Sequence, residues 1–273
     1  MTSASEWQGR VGQSWAAEWQ RTDRSFAALN VALVDRIAGM AGQKAQILDI
    51  GCGAGATSLA LAERLPDARI RGIDLSHDLI AAALERSGRR VVFEQADASC
   101  WTSSDFVPDL LVSRHGVMFF DDPVAAMRHF ATIIRPGGRM VFSCFRDCSL
   151  NNWATEVLAL LPQSPPFDPH APGPFAFADP DHVTAILSAA GWTDVTAEPL
   201  DVAYVVGGGD NPVDDAVDFF SHIGPAAVVI RALEGDARDR FLGGLRTMAR
   251  NHLRDRAVMF IAAVWIWSAR CPA

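Results

Sequence analysis

The sequence predicts a doubly wound α/β fold with a mostly parallel sheet, and three observations predict it. The apolar segment Ile47-Leu-Asp-Ile50 runs into Gly51-Cys-Gly-Ala-Gly55 and then into a helix that begins at Thr57, the pattern of a strand, a tight turn and a helix start. Four further apolar segments, residues 69–73, 91–94, 109–112 and 139–144, follow it, and strands interleaved with helices build a parallel sheet covered on both faces. The apolar stretch 257–269 is too short to span a bilayer and supplies a closing strand over 258–268.

Residues 1–42 carry Trp7, Trp15 and Trp19, with Phe26, Leu29 and Leu33 at helical intervals, which predicts one or two amphipathic helices ahead of the first strand. Packing onto the core is the ordinary role of such tryptophans; Trp15 is also a candidate wall of a ligand pocket. In the first turn, Gly51, Gly53 and Gly55 can adopt positive φ and admit a ligand close to the backbone, beside the free amides of a helix start. Gly51, Gly53 and Ala56 also satisfy the G-x-G-x-x-G/A pattern of dinucleotide folds, so the loop alone leaves the cofactor open. The second strand ends in Asp74-Leu75, a carboxylate placed for the two hydroxyls of a ribose. The third is followed by Asp97-Ala98 and the fourth by Ser113-Arg-His115. Singly, each acid is equally a helix N-cap or a solvated strand end; in order behind successive strands they point to a nucleotide-like cofactor.

With Pro136-Gly137-Gly138 ahead of the fifth strand, the stretch from residue 45 to residue 145 resembles the class I S-adenosylmethionine-dependent methyltransferases. The residues around 113–120 and the tryptophan-bearing N-terminus resemble a bacterial small-molecule branch with ubiquinone- and menaquinone-type relatives. The resemblance implies a Rossmann-like, mostly parallel sheet of about seven strands whose last strand inserts antiparallel. It implies S-adenosylmethionine as cofactor and S-adenosylhomocysteine as product. It assigns Asp49 to the ammonium end of the methionine portion and Gly51, Cys52, Gly53 and Gly55 to the loop beneath it. It places Asp74, with Leu75 beside it, at the ribose, Asp97 and Ala98 at the adenine, and Ser113 near the methionine moiety. In resembling enzymes a segment such as residues 1–42 forms a lid over the cofactor.

After the core of residues 43–145, residues 146–180 read as a substrate-cap loop. Pro162, Pro165, Pro166, Pro169, Pro172 and Pro174 forbid a long helix there. Residues 181–206 resume the core with a helix over 180–190 and a strand over 192–200. Residues 207–256 depart from the family pattern: Gly207-Gly-Gly209 reads as a hinge or a surface turn, and helices over about 213–223 and 236–254 form a cap. Such an insertion lies near the carboxyl ends of the strands, where open α/β sheets bind ligands. Residues 257–273 complete the sheet.

Methyl transfer from a sulfonium requires nucleophile, methyl and sulfur nearly in line in a dry cavity, and an alcohol or phenol acceptor must also lose a proton. His115 is the candidate base or substrate contact, because imidazole titrates near neutrality; shaping the pocket is its plainer role. Trp15, Met118, Trp153, Phe175 and Phe177 are the candidate substrate-pocket residues and, with Phe119 and Phe120, predict an apolar or aromatic small-molecule acceptor.

A net charge of -8 argues against a nucleic-acid partner. The five cysteines form no paired framework, and Cys144 and Cys148 lack companions for a metal site, so no metal is expected. Without a charged region ahead of an apolar run at the N-terminus, no secretory signal and no membrane span are expected, and the location is read as cytoplasmic. Two alternatives stay open at this point: an NAD-dependent oxidoreductase, and a non-catalytic protein that binds S-adenosylmethionine.

Overall fold

The strand Gln46–Ile50 (β1) is buried at every position after its first, which places it at the centre of a sheet covered on both faces. The computed structural model describes residues 4–161 and 168–272. Its other strands are β2 (Arg69–Asp74), β3 (Val92–Gln95), β4 (Leu110–Arg114), β5 (Arg139–Phe145), β6 (Thr193–Gly207), β7 (Leu253–Arg254) and β8 (Ala257–Arg270). The order is β3-β2-β1-β4-β5-β8-β6, with the two-residue β7 paired to β8. Strands β1 to β5 run parallel, and β8 is antiparallel to both β5 and β6. The expected sheet with an antiparallel last strand is therefore present, with β7 as an addition.

Ahead of β1 lie α1 (Ala4–Gln8), α2 (Arg10–Ala17), α3 (Trp19–Ser25) and α4 (Ala27–Met40). One or two helices were expected; the chain bends at Gly9, Glu18 and Phe26, all outside helical geometry. These bends let α2 pack on α6, α3 on β6 and α4 on α5. Between the strands run α5 (Ala56–Arg64), α6 (His77–Ser87), α7 (Pro123–Ile133), α8 (Asn152–Ala159) and α9 (Pro180–Ala189). Pro162, Pro165 and Pro166 of the expected cap loop lie outside the described residues.

The region after β6 corrects the sequence reading in three ways. Strand β6 continues seven residues past Leu200, because β8 offers partners from Val264 to Val258 for Leu200 to Gly207. Three helices follow, not two: α10 (Pro212–His222), α11 (Pro225–Ala232) and α12 (Gly235–Asn251). Pro225 begins α11, a first-turn position where a missing amide is harmless, and that short helix is easily read as loop. Finally, Gly207 is packed, since a Cβ there would strike the carbonyl of Pro212, and Gly208 donates its amide to Asp215 Oδ2 at 2.8 Å. The triple glycine is thus a pinned turn and not a hinge. Among the described residues no helix is long and apolar enough to cross a membrane.

Candidate functional site

Parallel pairing brings the carboxyl ends of β1, β2, β4 and β5 to one edge, and a cavity of about 530 Å³ opens there. It sits at the junction of the neighbouring strands β1 and β4, where the strand order reverses direction, the usual ligand position of open α/β folds. Residues from α1 to α3 close one side, Trp7, Trp15, Thr22 and Asp23 among them, and Phe219, Phe220, Ile223 and Pro225 from the α10–α11 region close the other.

The glycine turn is built for close approach. Gly51 has φ +64° and sits so near the 113–116 turn that a Cβ would lie 3.0 Å from Gly116 Cα. Gly53 has φ +55° and nothing within 4 Å of a built Cβ, and its amide donates to Asp74 Oδ2 at 2.9 Å. Gly55 does not line the cavity; at φ +83° it lets the helix start pack against Phe93, whose Cζ would lie 2.6 Å from a Cβ. Asp74 Oδ1 accepts the Ser76 amide at 2.9 Å. Each carboxylate oxygen has two acceptor sites, so these bonds fix Asp74 and leave it able to take hydroxyls. Cys52, Leu75 and Ala98 also line the cavity. Asp97 stands at its exposed rim, with Oδ1 accepting from the Ser99 amide at 2.8 Å and hydroxyl at 2.7 Å.

Asp49 is fully buried. Its Oδ2 accepts from Ser58 Oγ at 2.6 Å, while Oδ1 has no partner. Burial pushes its carboxyl up to about 7 against the pull of Ser58 and Arg114. Ser113 stands inside β4, not after it, and does not line the cavity: its Oγ donates to the Ile50 carbonyl at 2.7 Å and accepts the Gly116 amide at 3.2 Å. It seams the glycine turn to the 113–116 turn.

His115 has φ +62°, a left-handed backbone on a residue that is not glycine, and such outliers concentrate where the fold fixes a side chain for function. Its amide donates to the Ser143 carbonyl at 3.1 Å, and Nδ1 lies 2.9 Å from Ser143 Oγ. The ring stands edge-on to Phe145 at 4.3 Å and tilts against Phe26 at 5.2 Å. Burial, with the charge of Arg114 adding to it, lowers its pKa to about 3. The imidazole is therefore neutral and weakly basic, which counts against the base role expected from its ordinary titration.

Of the five substrate candidates, Trp15, Met118 and Trp153 line the cavity, whereas Phe175 and Phe177 do not. Phe175 stacks behind Trp153 at 6.0 Å, and Phe177 packs against Phe142 at 6.1 Å. Residues that the sequence did not assign to the site complete the walls: Trp7 and Phe26, read there only as helix packing, and Asp23, Arg114, Phe145 and Tyr204. Arg114 ends β4 between two residues that were noticed, and a cation at that strand end was the available signal. Its Nη1 is buried without a partner, and Nη2 lies 3.8 Å from Asp23 Oδ1. Tyr204, the chain's one tyrosine, falls on the unexpected extension of β6. Among the described residues no group of His, Cys, Asp and Glu is arranged to hold a metal.

Comparison with known proteins agrees with this geometry. A methyltransferase-domain family profile matches residues 19–197, more than half of the chain. Phosphoethanolamine N-methyltransferase 1 of Triticum aestivum is 32% identical over 168 residues, covering 60% of this chain and 31% of the wheat protein. The 27-O-demethylrifamycin SV methyltransferase of Amycolatopsis mediterranei is 31% identical over 134 residues, 46% of this chain and 49% of its own. The match thus spans about a third to a half of these curated relatives. In fold, a Haemonchus contortus phosphoethanolamine N-methyltransferase 2 in complex with S-adenosyl-L-methionine superposes with a TM-score of 0.60 at 17% identity, over 100% of this chain and 61% of that one. With its glycine turn, successive strand-end acids and matched profile, the chain belongs to the methyltransferase-domain family.

Proposed function

We propose that the protein transfers a methyl group from S-adenosylmethionine to a small acceptor with an apolar or aromatic body. One observation carries the reading: among the described residues Asp49 Oδ1, Arg114 Nη1, His115 Nε2 and Trp7 Nε1 are buried without hydrogen-bond partners, and all four residues line the same cavity. Buried polar groups left unpaired are costly and rare, and a bound ligand is the natural complement.

The residues fit the cofactor. Asp49 would hold the ammonium of the methionine portion, Arg114 its carboxylate, the Gly51–Gly53 turn the chain beneath, and Asp74 the ribose hydroxyls. The bound cofactor supplies the chemistry, an electrophilic methyl group on a sulfonium. The chain binds, orients and excludes water. Trp7, Trp15 and Asp23 from the lid helices and Phe219 and Phe220 from α10 close the cavity, while Phe26, Phe145, Trp153 and Tyr204 form an aromatic end in which an acceptor can be held in line.

The lining disfavours NAD, whose pyrophosphate would sit at the glycine turn beside the carboxyl groups of Asp49 and Asp74. It also disfavours a compact phosphorylated acceptor such as that of the wheat relative, because the acceptor end is aromatic and the cationic lining residue, Arg114, would be taken by the cofactor's carboxylate. An acceptor of the quinone-type branch suggested by the sequence suits this end better.

Turnover with S-adenosylmethionine carrying a deuterated methyl group, followed by mass spectrometry across phenols, quinols, phosphoethanolamine and RNA, tests the proposal. Label in a phenol or quinol supports it. Label only in charged acceptors overturns the acceptor class, and cofactor binding with no product from any acceptor favours a non-catalytic binder.

A further inference from the structure

His115 lines the cavity against Phe26 and Phe145 of its aromatic end, and its hydrogen bonding decides what it can offer. The turn that carries it touches the glycine turn through Gly116 and Gly51. The ring is held from below by Ser143, a residue of β5 with no exposed surface. Among the described residues, the Ser143 hydroxyl makes one hydrogen bond, to His115 Nδ1 at 2.9 Å, and Nε2 has none.

Two neutral tautomers are possible, and they differ in how many groups go unmet. With the proton on Nε2, the Ser143 hydroxyl donates to the Nδ1 lone pair, and only the Nε2–H lacks a partner. With the proton on Nδ1, that N–H donates to Ser143 Oγ. The serine hydroxyl then has no acceptor and the Nε2 lone pair has no donor. Each arrangement leaves one donor unmet, but the second also strands the Nε2 lone pair as an unmet buried acceptor, which carries its own desolvation cost, so the first arrangement prevails. We infer that Ser143 is a positioning residue that fixes His115 as a neutral Nε2–H donor, and that the methyl acceptor presents a carbonyl or deprotonated hydroxyl oxygen to it within an otherwise aromatic pocket.

The ring's surroundings agree with this. Phe145 and Phe26 flank it, Arg114 is the adjacent cation, and no carboxylate bonds to either ring nitrogen. A protonated ring would be stranded, whereas a neutral N–H donor can stabilise negative charge on an enolate or phenolate oxygen without a proton changing hands. A hydroxyl acceptor would give its proton to solvent before it binds and attack the methyl group as the oxyanion, or the carbonyl oxygen would anchor an acceptor whose neighbouring carbon, having likewise lost its proton to solvent to form the enolate, attacks. In both cases the nucleophile forms a bond to carbon, the sulfonium–methyl bond breaks with its electron pair passing to sulfur, and His115 keeps its proton.

The inference rests on the acceptor reading above, and two experiments separate them. Long-range 1H–15N spectra of the full-length protein labelled at histidine report the tautomer directly, with the His115 resonances assigned by their loss in His115→Gly, a substitution that a left-handed backbone accepts. The expected spectrum is a neutral Nε2–H ring from pH 8 to pH 5, shifted toward the other tautomer in Ser143→Ala and restored in Ser143→Thr. A Nδ1–H ring in the wild type, or protonation with a midpoint above pH 6, overturns the inference.

The second experiment uses protein saturated with S-adenosylhomocysteine and two probes of equal shape, 1-tetralone with a carbonyl and tetralin without. The expected result is tetralone binding about tenfold more tightly, the worth of one hydrogen bond, with the preference lost in both His115→Gly and Ser143→Ala. Equal binding of both probes by the wild type overturns the inference and leaves the aromatic acceptor reading standing. Binding of neither overturns both.

Discussion

Asp49 and Ser58 share one 2.6 Å hydrogen bond, and that bond uses Oδ2 while Oδ1 stays buried and unmet. Burial holds this carboxyl near 7 in place of its ordinary 3.8, against the lowering pull of the Ser58 bond and of Arg114. A group whose pKa is raised on folding stabilises the fold fully below its unfolded pKa, and that contribution is lost as pH rises through the folded value. The ligand-free protein should therefore lose stability from about pH 4 to pH 7. In Asp49→Asn this loss is expected to disappear, leaving the variant more stable at pH 8 by on the order of 4 kcal/mol in urea unfolding and indistinguishable near pH 4.

The same residue sets the pH dependence of cofactor binding. A cation beside Asp49 favours its ionised form, so binding releases a proton below the folded pKa and the affinity for S-adenosylmethionine should rise as pH increases from 5.5 to 7, then level. Calorimetry across that range is expected to show the slope in the wild type and to show weak, pH-independent binding in Asp49→Asn.

The N-terminal helices, proposed above as a lid, are the next point of leverage. Gly12 of α2 packs so closely on the β2–α6 turn that a Cβ would strike Ser76 Oγ and the Trp7 carbonyl. Asp23 of α3 is bonded to Arg86, which also donates to the Ala54 carbonyl at 2.6 Å and lies 3.9 Å from the Trp19 ring. On the far side Arg21 and Arg24 both pair with Asp215 of α10 at 2.7 Å. Gly12→Ala and Asp23→Ala are each expected to raise the cofactor dissociation rate about tenfold or more in stopped-flow traces and to expose residues 4–25 to limited proteolysis. Unchanged rates and protection would show that these contacts do not hold the lid.

Two glycines should fail in opposite ways. Gly53→Ala has open space but a positive φ, so it is expected to cost only about 1–2 kcal/mol of stability while blocking the approach of the cofactor. Gly207→Ala meets the Pro212 carbonyl and Ala216; overpacking of this kind costs about 1–3 kcal/mol and should leave cofactor affinity intact if the fold survives. Thermal melts beside calorimetry separate the two.

At the acceptor end, Tyr204→Phe and Trp153→Leu are expected to raise KM for an acceptor several-fold and to leave the Kd of S-adenosylhomocysteine unchanged. Tyr204 is buried, and burial raises its hydroxyl pKa against a contact with Ser25 that lowers it. The phenol is thus neutral, and no activity loss from its ionisation is expected below pH 9.

How much of this was legible in the sequence follows from which signals are local. The glycine turn, Asp49, Asp74 and Asp97 could be read because strand ends and turns are marked by short patterns, and the parallel edge then brings them together. Ser113 was misplaced by a strand that runs two residues further than its apolar run. Phe175 and Phe177 were credited to the pocket because aromaticity is visible in sequence while the direction a loop side chain takes is not. Tyr204, Asp23 and Arg86 escaped notice because their meaning depends on β6 outlasting its apolar core and on ion pairs between residues 63 positions apart. The orphaned atoms of Trp7, Asp49, Arg114 and His115 exist only in three dimensions.

The most direct test of the central claim is a calorimetric titration of S-adenosylmethionine, S-adenosylhomocysteine and NAD into the wild type and Asp74→Ala. Tight binding of the two sulfur compounds, lost in Asp74→Ala, with no binding of NAD, is the predicted result. Binding of NAD alone, or of none of the three, would contradict it.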